Sequence, residues 1–333
     1  MIQKRSRYNV CVVGAGAVGI EILRVLKQRR FPIDKLTVLA RSARTVEVDG
    51  ETYQVRPVSP EAFKDQHIVL FAGTEGEKGA AVIYAKEAIR QGAVCIDNGA
   101  DFRMDPGVPL VVPEVNPEDV KRHQGLIANP NCSTIQMVAA LAPVHKKYGI
   151  RRIIVSTYQA ASGAGSKAVS ALAAEISAAV RKEKMPPPEA LPQQIAFNVF
   201  PHIGPFQEMG YTSEEWKMVK ETRKILHDEN IQVTATAVRV PVSDAHSESV
   251  YVETKQPASI EEIKQLWKNS PGILLIEEPD YPMPIRAAHR DEVFVGRVRP
   301  DPSVKGAFCC WIVSDNLRKG AALNAVQIAE LLI

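Results

Sequence analysis

Cys132 is the residue in this chain best placed to act as a nucleophile. It follows Asn129-Pro130-Asn131 and opens a helical pattern with apolar residues at Ile135, Met137, Val138, Leu141 and Val144. Pro130 fixes the backbone and Asn131 suits an N-cap, which puts Cys132 in the first turn of a helix. Free backbone N–H groups and the positive end of the helix dipole favour a thiolate over a thiol there. A thiolate attacks acyl carbons. A free cysteine is also commonly a small buried apolar residue, so position alone leaves both readings open.

Acyl chemistry needs a group that handles protons and groups that hold the substrate. His246 lies between two β-rich segments, 233–242 and 250–254, and imidazole serves as acid and base near neutral pH. Arg239 stands near the end of the first segment, where it suits a carboxylate held by two hydrogen bonds or an ordinary ion pair. Gln159 ends the β-branched run 151–158 and can hydrogen-bond a carbonyl or carboxylate; Ser162-Gly163-Ala164-Gly165 follows. Glu214 and Lys217 share a helix face, with Ser213 as the expected N-cap. They read either as a solvated ion pair or as separate grips for an ammonium and a phosphate. Arg103, after Asp97-Asn98-Gly99-Ala100-Asp101-Phe102, suits an anion or pairs with Asp101 or Asp105.

These residues need a scaffold, and the first half of the chain indicates its type. An apolar strand, 8–13, runs straight into Gly14-Ala15-Gly16-Ala17-Val18-Gly19, and a helix with Ile20, Ile22, Leu23, Val25 and Leu26 follows. This strand-turn-helix is the setting in which such glycines bind a dinucleotide, with its pyrophosphate at the helix N-terminus. The next strand, 35–39, ends in Ala40-Arg41-Ser42-Ala43-Arg44, with no acidic residue for ribose hydroxyls. Arg41, Ser42 and Arg44 suit a 2′-phosphate instead, which favours NADP over NAD. Further strands are expected at 67–72 and 93–97, with a helix at 79–91 between them. Gly73-Thr74-Glu75-Gly76 ends one of these strands, where open α/β sheets place ligands. An Ala-rich helix is expected at 166–182, and a C-terminal helix at 321–332 with Leu323, Val326, Ile328 and Leu331 as its apolar stripe.

At 333 residues the chain exceeds the size at which single cores stop growing, so two domains are expected. A net charge of +3 is too small to argue for nucleic acid or membrane as partner. No apolar run approaches the roughly 20 residues of a membrane helix. The basic start, Met1 to Arg7, leads into a strand rather than a signal-peptide core, which predicts a cytosolic protein. The five cysteines lack paired zinc spacing, and His67, His123, His145, His202, His227 and His289 show no ligand spacing. Neither a metal site nor a disulfide framework is expected.

Taken together, Asn129 to Thr134, Tyr158-Gln159 with Ser162 to Gly165, Glu214-Glu215-Trp216-Lys217, Arg239-Val240-Pro241-Val242 with His246-Ser247, and Ser314 to Gly320 occur in an order and spacing that resembles the aspartate-semialdehyde dehydrogenase family over nearly the whole chain. The resemblance implies an α/β architecture: a Rossmann-type dinucleotide-binding domain plus an α+β catalytic and dimerisation domain. The expected division is 1–130, completed by 315–333, and 131–314.

The implied reaction is NADPH-dependent reductive dephosphorylation of L-aspartyl 4-phosphate to L-aspartate 4-semialdehyde, in biosynthesis of lysine, threonine, methionine and isoleucine. Cys132 is then the thioester-forming nucleophile, His246 the acid/base catalyst, and Gln159 the group that orients substrate. Arg239 binds the α-carboxylate and Glu214 the α-ammonium, while Arg103, Asn131 and Lys217 bind phosphate. Gly14, Gly16, Ala17, Val18, Gly19, Arg41, Ser42, Ser162, Gly163 and Asn316 contact NADP. A homodimer or homotetramer is implied, with the helix after Ser166 at a subunit interface. A related acyl-phosphate reductase of the N-acetyl-glutamyl-phosphate type is the nearer rival; a non-catalytic NADP-binding protein is the other. Ala245 departs from the resemblance, standing where glycine commonly precedes the histidine.

Overall fold

A computed structural model of the chain describes residues 3–73 and 76–333. Met1 and Ile2 of the basic start, and Thr74 and Glu75 of the Gly73–Gly76 turn, lie outside the described residues. The chain divides into two compact units, Met1–Asn131 with Gly320–Ile333, and Cys132–Lys319. Among the described residues no helix is long and apolar enough to cross a membrane.

The first unit is built on a seven-stranded sheet. Its strands are β1 (Tyr8–Val13), β2 (Ile33–Ala40), β3 (Arg44–Val48), β4 (Glu51–Pro57), β5 (Ile68–Phe71), β6 (Val94–Asp97) and β7 (Leu126–Ala128). The order is β3-β4-β2-β1-β5-β6-β7. Every neighbouring pair is parallel except the β3–β4 hairpin. Parallel strands covered on both faces read as continuous apolar runs, as β5 does throughout and β1 from Val10 to Val13. Two helices, α1 (Ala17–Gln28) and α2 (Ala80–Arg90), connect strands here. The C-terminal helix, Leu323–Glu330, follows a π-type turn over Arg318–Ala322, so it starts later than the sequence pattern suggests. Leu323, Val326 and Ile328 are buried in the same core as Val10, Val12, Ile22 and Leu26.

The second unit carries a mixed six-stranded sheet of order β11-β12-β13-β10-β8-β9. Its strands are β8 (Ile150–Gln159), β9 (Gln232–Arg239), β10 (His246–Thr254), β11 (Ile273–Ile276), β12 (Val293–Pro300) and β13 (Ala307–Ser314). Its helices are α3 (Cys132–Tyr148), α4 (Ser166–Arg181), α5 (Ser213–Leu226), α6 (Ile260–Lys268) and α7 (Pro284–Ala287). Residues opposite one another share a face, and successive residues alternate. One face therefore carries Val250 and Val252, Val155 and Ile153, and Cys310 and Phe308, all buried. Trp267 of α6 packs edge-on against Phe308 on that face and donates its indole N–H to the Ala140 carbonyl of α3 at 2.8 Å. Helix α3 touches α5, α6 and four strands, which is why its burial runs unbroken from Ser133 to Leu141 instead of following one stripe. On the other face Tyr158 and Trp311 lie ring to ring at 5.2 Å.

In the first unit β1 has β2 on one side and β5 on the other, so the chain direction across the sheet reverses at the end of β1. Open α/β sheets bind ligands at such a point, and the glycine turn is there. Gly14 sits at φ +109° and donates its N–H to the Leu39 carbonyl at 2.8 Å. A Cβ on Gly19 would lie 1.8 Å from the Gly14 carbonyl oxygen, so α1 packs this closely on the turn only with glycine at 19. Gly19→Ala is expected to displace the turn, lower the melting temperature, and abolish dinucleotide binding in a fluorescence titration with NADP⁺. Unchanged affinity would show that the turn does not cradle the cofactor.

Candidate active site

Helix α3 begins at Cys132, directly after Asn131, so the cysteine stands where the helix dipole is positive. Its side chain is partly exposed, unlike those of Cys11, Cys95 and Cys310. Burial pushes the Cys11 thiol up to about 12 and raises Cys95 and Cys310 further still, which makes them inert core residues.

The register of the second sheet collects the other groups at one end of its helix-covered face. Gln159 pairs with Arg239, Ser247 with Tyr158, and Ser314 with His246. Arg239, Gln159, His246 and Ser314 are all buried. One row deeper stand Thr157 and Glu248, and below them the surface is apolar.

Ala160, the residue after β8, holds two of these groups through its main chain. Its N–H donates to His246 Nδ1 at 3.0 Å, and its carbonyl accepts from Arg239 Nη1 at 2.6 Å. Burial, and then the nearby Arg239 guanidinium, hold His246 well below its ordinary value, so the imidazole is neutral. Burial also lowers Arg239, opposed by the negative charges of Glu214 and Cys132. That attraction places the guanidinium within electrostatic reach of both. Arg239 is therefore no solvated ion pair.

Glu214 and Lys217 do pair, Nζ to Oε2 at 3.6 Å, but the Glu214 side chain is only 9% exposed. Gln159 Nε2 donates to its other oxygen at 3.2 Å. A chain from buried Gln159 through buried Glu214 to half-buried Lys217 thus replaces the solvated pair that spacing alone allowed. The start of α5 fixes it in place. Thr212, not Ser213, is the N-cap, because Glu215 stands three residues on and closes a capping box: Thr212 N–H donates to Glu215 Oε2 at 2.7 Å and Glu215 N–H to Thr212 Oγ1 at 3.4 Å. The second Glu215 oxygen accepts from Ala237 N–H of β9 at 3.0 Å.

Asn316 Oδ1 accepts from Ser162 Oγ at 3.1 Å and from Ala245 N–H at 3.0 Å, bracing the turn after β8 against the residue before His246. Ala245 is fully buried at φ +69°, the left-handed region that favours glycine. A Cβ on Gly163 would meet Arg239 Nη1 and His246 Cε1 at 2.9 Å and His246 Nε2 at 3.0 Å.

The remaining sequence-derived residues lie in the first unit. Arg103 is buried and donates from Nε to the Asn129 carbonyl at 2.9 Å and from Nη2 to the Asn98 carbonyl at 2.8 Å. Arg41 and Ser42 are exposed just past β2. Arg44 is the first residue of β3 and donates to the Ala15 carbonyl at 2.8 Å, bracing the glycine turn. Helix α1 has no acidic residue in its first turn and no capping side chain, and a Cβ on Gly16 would meet nothing within 4 Å. The turn therefore fits a dinucleotide's phosphates.

Residues 9–123 match the model of the semialdehyde dehydrogenase NAD binding domain, and residues 141–319 that of the semialdehyde dehydrogenase dimerisation domain. Aspartate-semialdehyde dehydrogenase of Aquifex aeolicus is 52% identical, with 98% of each chain covered, and that of Bacillus subtilis 50% identical, with 97% of each covered. The chain belongs to the aspartate-semialdehyde dehydrogenase family. Like other aspartate-semialdehyde dehydrogenases it is an oxidoreductase with an NAD(P)-binding domain and a dimerisation domain. The crystal structure of aspartate semialdehyde dehydrogenase II from Vibrio cholerae complexed with ASA matches at TM-score 0.94 and 44% identity, covering 98% of both chains. Aspartate semialdehyde dehydrogenase with NADP from Candida albicans matches at TM-score 0.76 and 27% identity, with the same coverage.

Sequence reasoning missed Ala160, which acts through its backbone and leaves no side-chain signal. It also missed Glu248, which the strand period of two places on the His246 face. Among the described residues neither buried Glu248 oxygen has a partner at hydrogen-bond geometry; burial raises its carboxyl well above the ordinary 4.5, opposed by the neighbouring Gln136 amide. Folded Glu248 stays protonated where the unfolded chain has ionised. Its contribution is therefore full below about pH 4.5 and is lost as pH rises, at up to roughly 1.4 kcal/mol per pH unit until the folded group ionises. Glu248→Gln is expected to melt higher than the parent at pH 8 and level with it near pH 4.5, read by thermal unfolding at both pH values. Gly163→Ala is expected to fold but to lose at least about tenfold in kcat, because its methyl meets His246 and Arg239. Circular dichroism and steady-state turnover separate the two effects.

Proposed function

We infer that the chain catalyses reductive dephosphorylation of L-aspartyl 4-phosphate to L-aspartate 4-semialdehyde with NADPH, a step in biosynthesis of lysine, threonine, methionine and isoleucine. The observation that carries this reading is the buried arrangement of opposite charges at one end of the second sheet: Arg239 for an α-carboxylate, Glu214 for an α-ammonium, and Cys132 within electrostatic reach of the arginine. An amino acid with an activated side chain presents those same charges.

The Cys132 thiolate attacks the acyl phosphate carbon and forms a thioester as phosphate departs. Lys217, on the same helix as Glu214, receives the phosphate. Gln159, held by Glu214, orients the acyl group. His246 serves the carbonyl oxygen on which negative charge develops. When bound, NADPH supplies the hydride that reduces the thioester. Gly14, Gly16, Ala17, Val18 and Gly19 hold its pyrophosphate, and Arg41 and Ser42, exposed where no acidic side chain follows β2, suit its 2′-phosphate.

The match to a dimerisation domain supports a homodimer or homotetramer, and a step of amino-acid biosynthesis suits the cytoplasm. Ile176 and Val180 of α4, with Phe197 and Val199 beyond it, expose apolar surface suited to self-association.

The reverse reaction tests the reading. With L-aspartate semialdehyde, phosphate and NADP⁺, the parent is expected to raise the absorbance of reduced nicotinamide only when phosphate is present, and Cys132→Ala to lose at least ~10⁴-fold in kcat. Activity with the N-acetylated glutamate analogue instead would transfer the chain to the related reductase. Activity in Cys132→Ala would remove the thioester.

A further inference from the structure

The face of the second sheet turned away from its helices holds a recess of about 520 Å³. Small-molecule sites fall in this size range. Pro279 and Tyr281 of the loop after β11 line it, with Ser249 of β10, Trp311 of β13, and Arg297 and Arg299 of β12. Ser249 and Trp311 pair on the opposite face from His246 and Glu248, so the recess lies on the reverse of the sheet.

A defect in β12 brings the two arginines there. Gly296 stands opposite Trp311 and Arg299 opposite Cys309, so β12 takes three steps where β13 takes two. The extra residue is a bulge at Arg297, whose φ is +51°. Bulges that need this left-handed conformation ordinarily place glycine in it. Strict alternation would have turned Arg299 onto the helix-covered face; the bulge returns it to the face of Trp311. Arg299 Nη1 donates to the Arg297 carbonyl at 2.9 Å, which ties its guanidinium to the bulge. A Cβ on Gly296 would lie 2.6 Å from Pro282 Cδ and 2.7 Å from the Ile276 carbonyl oxygen. Glycine there lets the loop carrying Pro279 and Tyr281 close against β12.

Nearby carboxylates leave the two cations largely unneutralised. Glu278 reaches Arg297 Nη1 only at 3.5 Å, between two exposed side chains, and such pairs contribute little in water. Asp280 pairs with Arg286. Asp301 accepts from the Ser303 N–H at 2.7 Å and from its hydroxyl at 2.6 Å. Among the described residues Arg299 has no carboxylate partner. The Trp311 indole is partly buried and held against Tyr158, ring centroids 5.2 Å apart. It offers a flat apolar surface beside planar guanidiniums.

We propose that this recess is a binding site, distinct from the candidate active site, for a small molecule that joins a planar ring to a carboxylate or phosphate. The ring lies against Trp311 and Tyr281, and Arg297 and Arg299 hold the anion. Such a ligand accounts for a strained conformation kept at an arginine, where glycine would relieve it.

Titration of the full-length enzyme in its solution oligomer tests this. Trp311 emission, taken as parent minus Trp311→Phe, reports the recess without the other indoles. The probes are phenyl phosphate and phenylacetate, which carry ring and anion, inorganic phosphate, which lacks the ring, and phenol, which lacks the charge. Phenyl phosphate or phenylacetate is expected to bind with Kd below about 1 mM, and at least about tenfold more tightly than phosphate or phenol. Arg299→Gln and Arg297→Gly are each expected to weaken that binding at least about tenfold, with turnover and sedimentation unchanged. Arg297→Gly is also expected to melt no lower than the parent, because glycine accepts the bulge conformation. A merely structural arginine would give the opposite result. The proposal fails if neither ring-bearing anion changes Trp311 emission up to about 10 mM. It fails too if phosphate alone binds as tightly, or if affinity survives both arginine substitutions. Dissociation of the oligomer in the arginine variants, with no response of the parent to any probe, would assign the recess to a second copy of the chain instead.

Discussion

The main chain of Ala160 holds a neutral imidazole on one side and a buried guanidinium on the other, at 3.0 and 2.6 Å. A cation and an imidazole this close and this buried are unstable together unless each is tied down. The backbone ties them without contributing a charge of its own, so the cation's field is left for Cys132 and Glu214. Moving this one peptide would change the histidine's tautomer and the arginine's aim at once. Much of the second unit is arranged to prevent that. The turn after β8 is stitched to residues 242 and 243 by main-chain hydrogen bonds from Ala161 and Ser162, and Asn316 binds it to Ala245.

The sheet beneath supplies the rest of the order. Its helix-covered face changes from apolar to polar over two rows, from Val250 and Val155 through Glu248 and Thr157 to His246 and Gln159. Water is excluded below and polar groups converge above. Charges in such a setting act on one another with much less screening than at a surface. A protonated carboxyl at Glu248 suits the middle row, because a carboxylate there would pull a proton onto the imidazole above it.

How far this was legible from sequence follows from what each residue uses to act. The glycine turn, β1, α1 and α3 were readable because strand and helix periods and glycine chemistry are local properties. The side chains that gather at the end of the second sheet could be named from the types and order of their motifs, but not placed relative to one another. The Glu214–Lys217 spacing was compatible with a solvated pair, and only tertiary packing shows its carboxylate buried. Ser213 was expected as the N-cap because it is a good capping residue, yet Thr212 caps, since the box requires Glu215 three positions on. The β3–β4 hairpin was overlooked although Asp49-Gly50 between two alternating segments is a hairpin signal, and the parallel pairing of β11 with β12 is not a local property. Ala160 was invisible in principle, since any residue but proline has the same N–H.

Ala245 carries a methyl group where the backbone turns to φ +69°, and the strain of that conformation is of order 1–3 kcal/mol. The protein tolerates it because the position is fixed from both ends, by Asn316 ahead of it and by the pairing of β10 behind it. The consequence concerns entropy rather than contacts. The backbone leading into His246 has no freedom left to lose when a ligand arrives. Ordering of the imidazole is completed during folding, so it does not have to be repeated at each turnover.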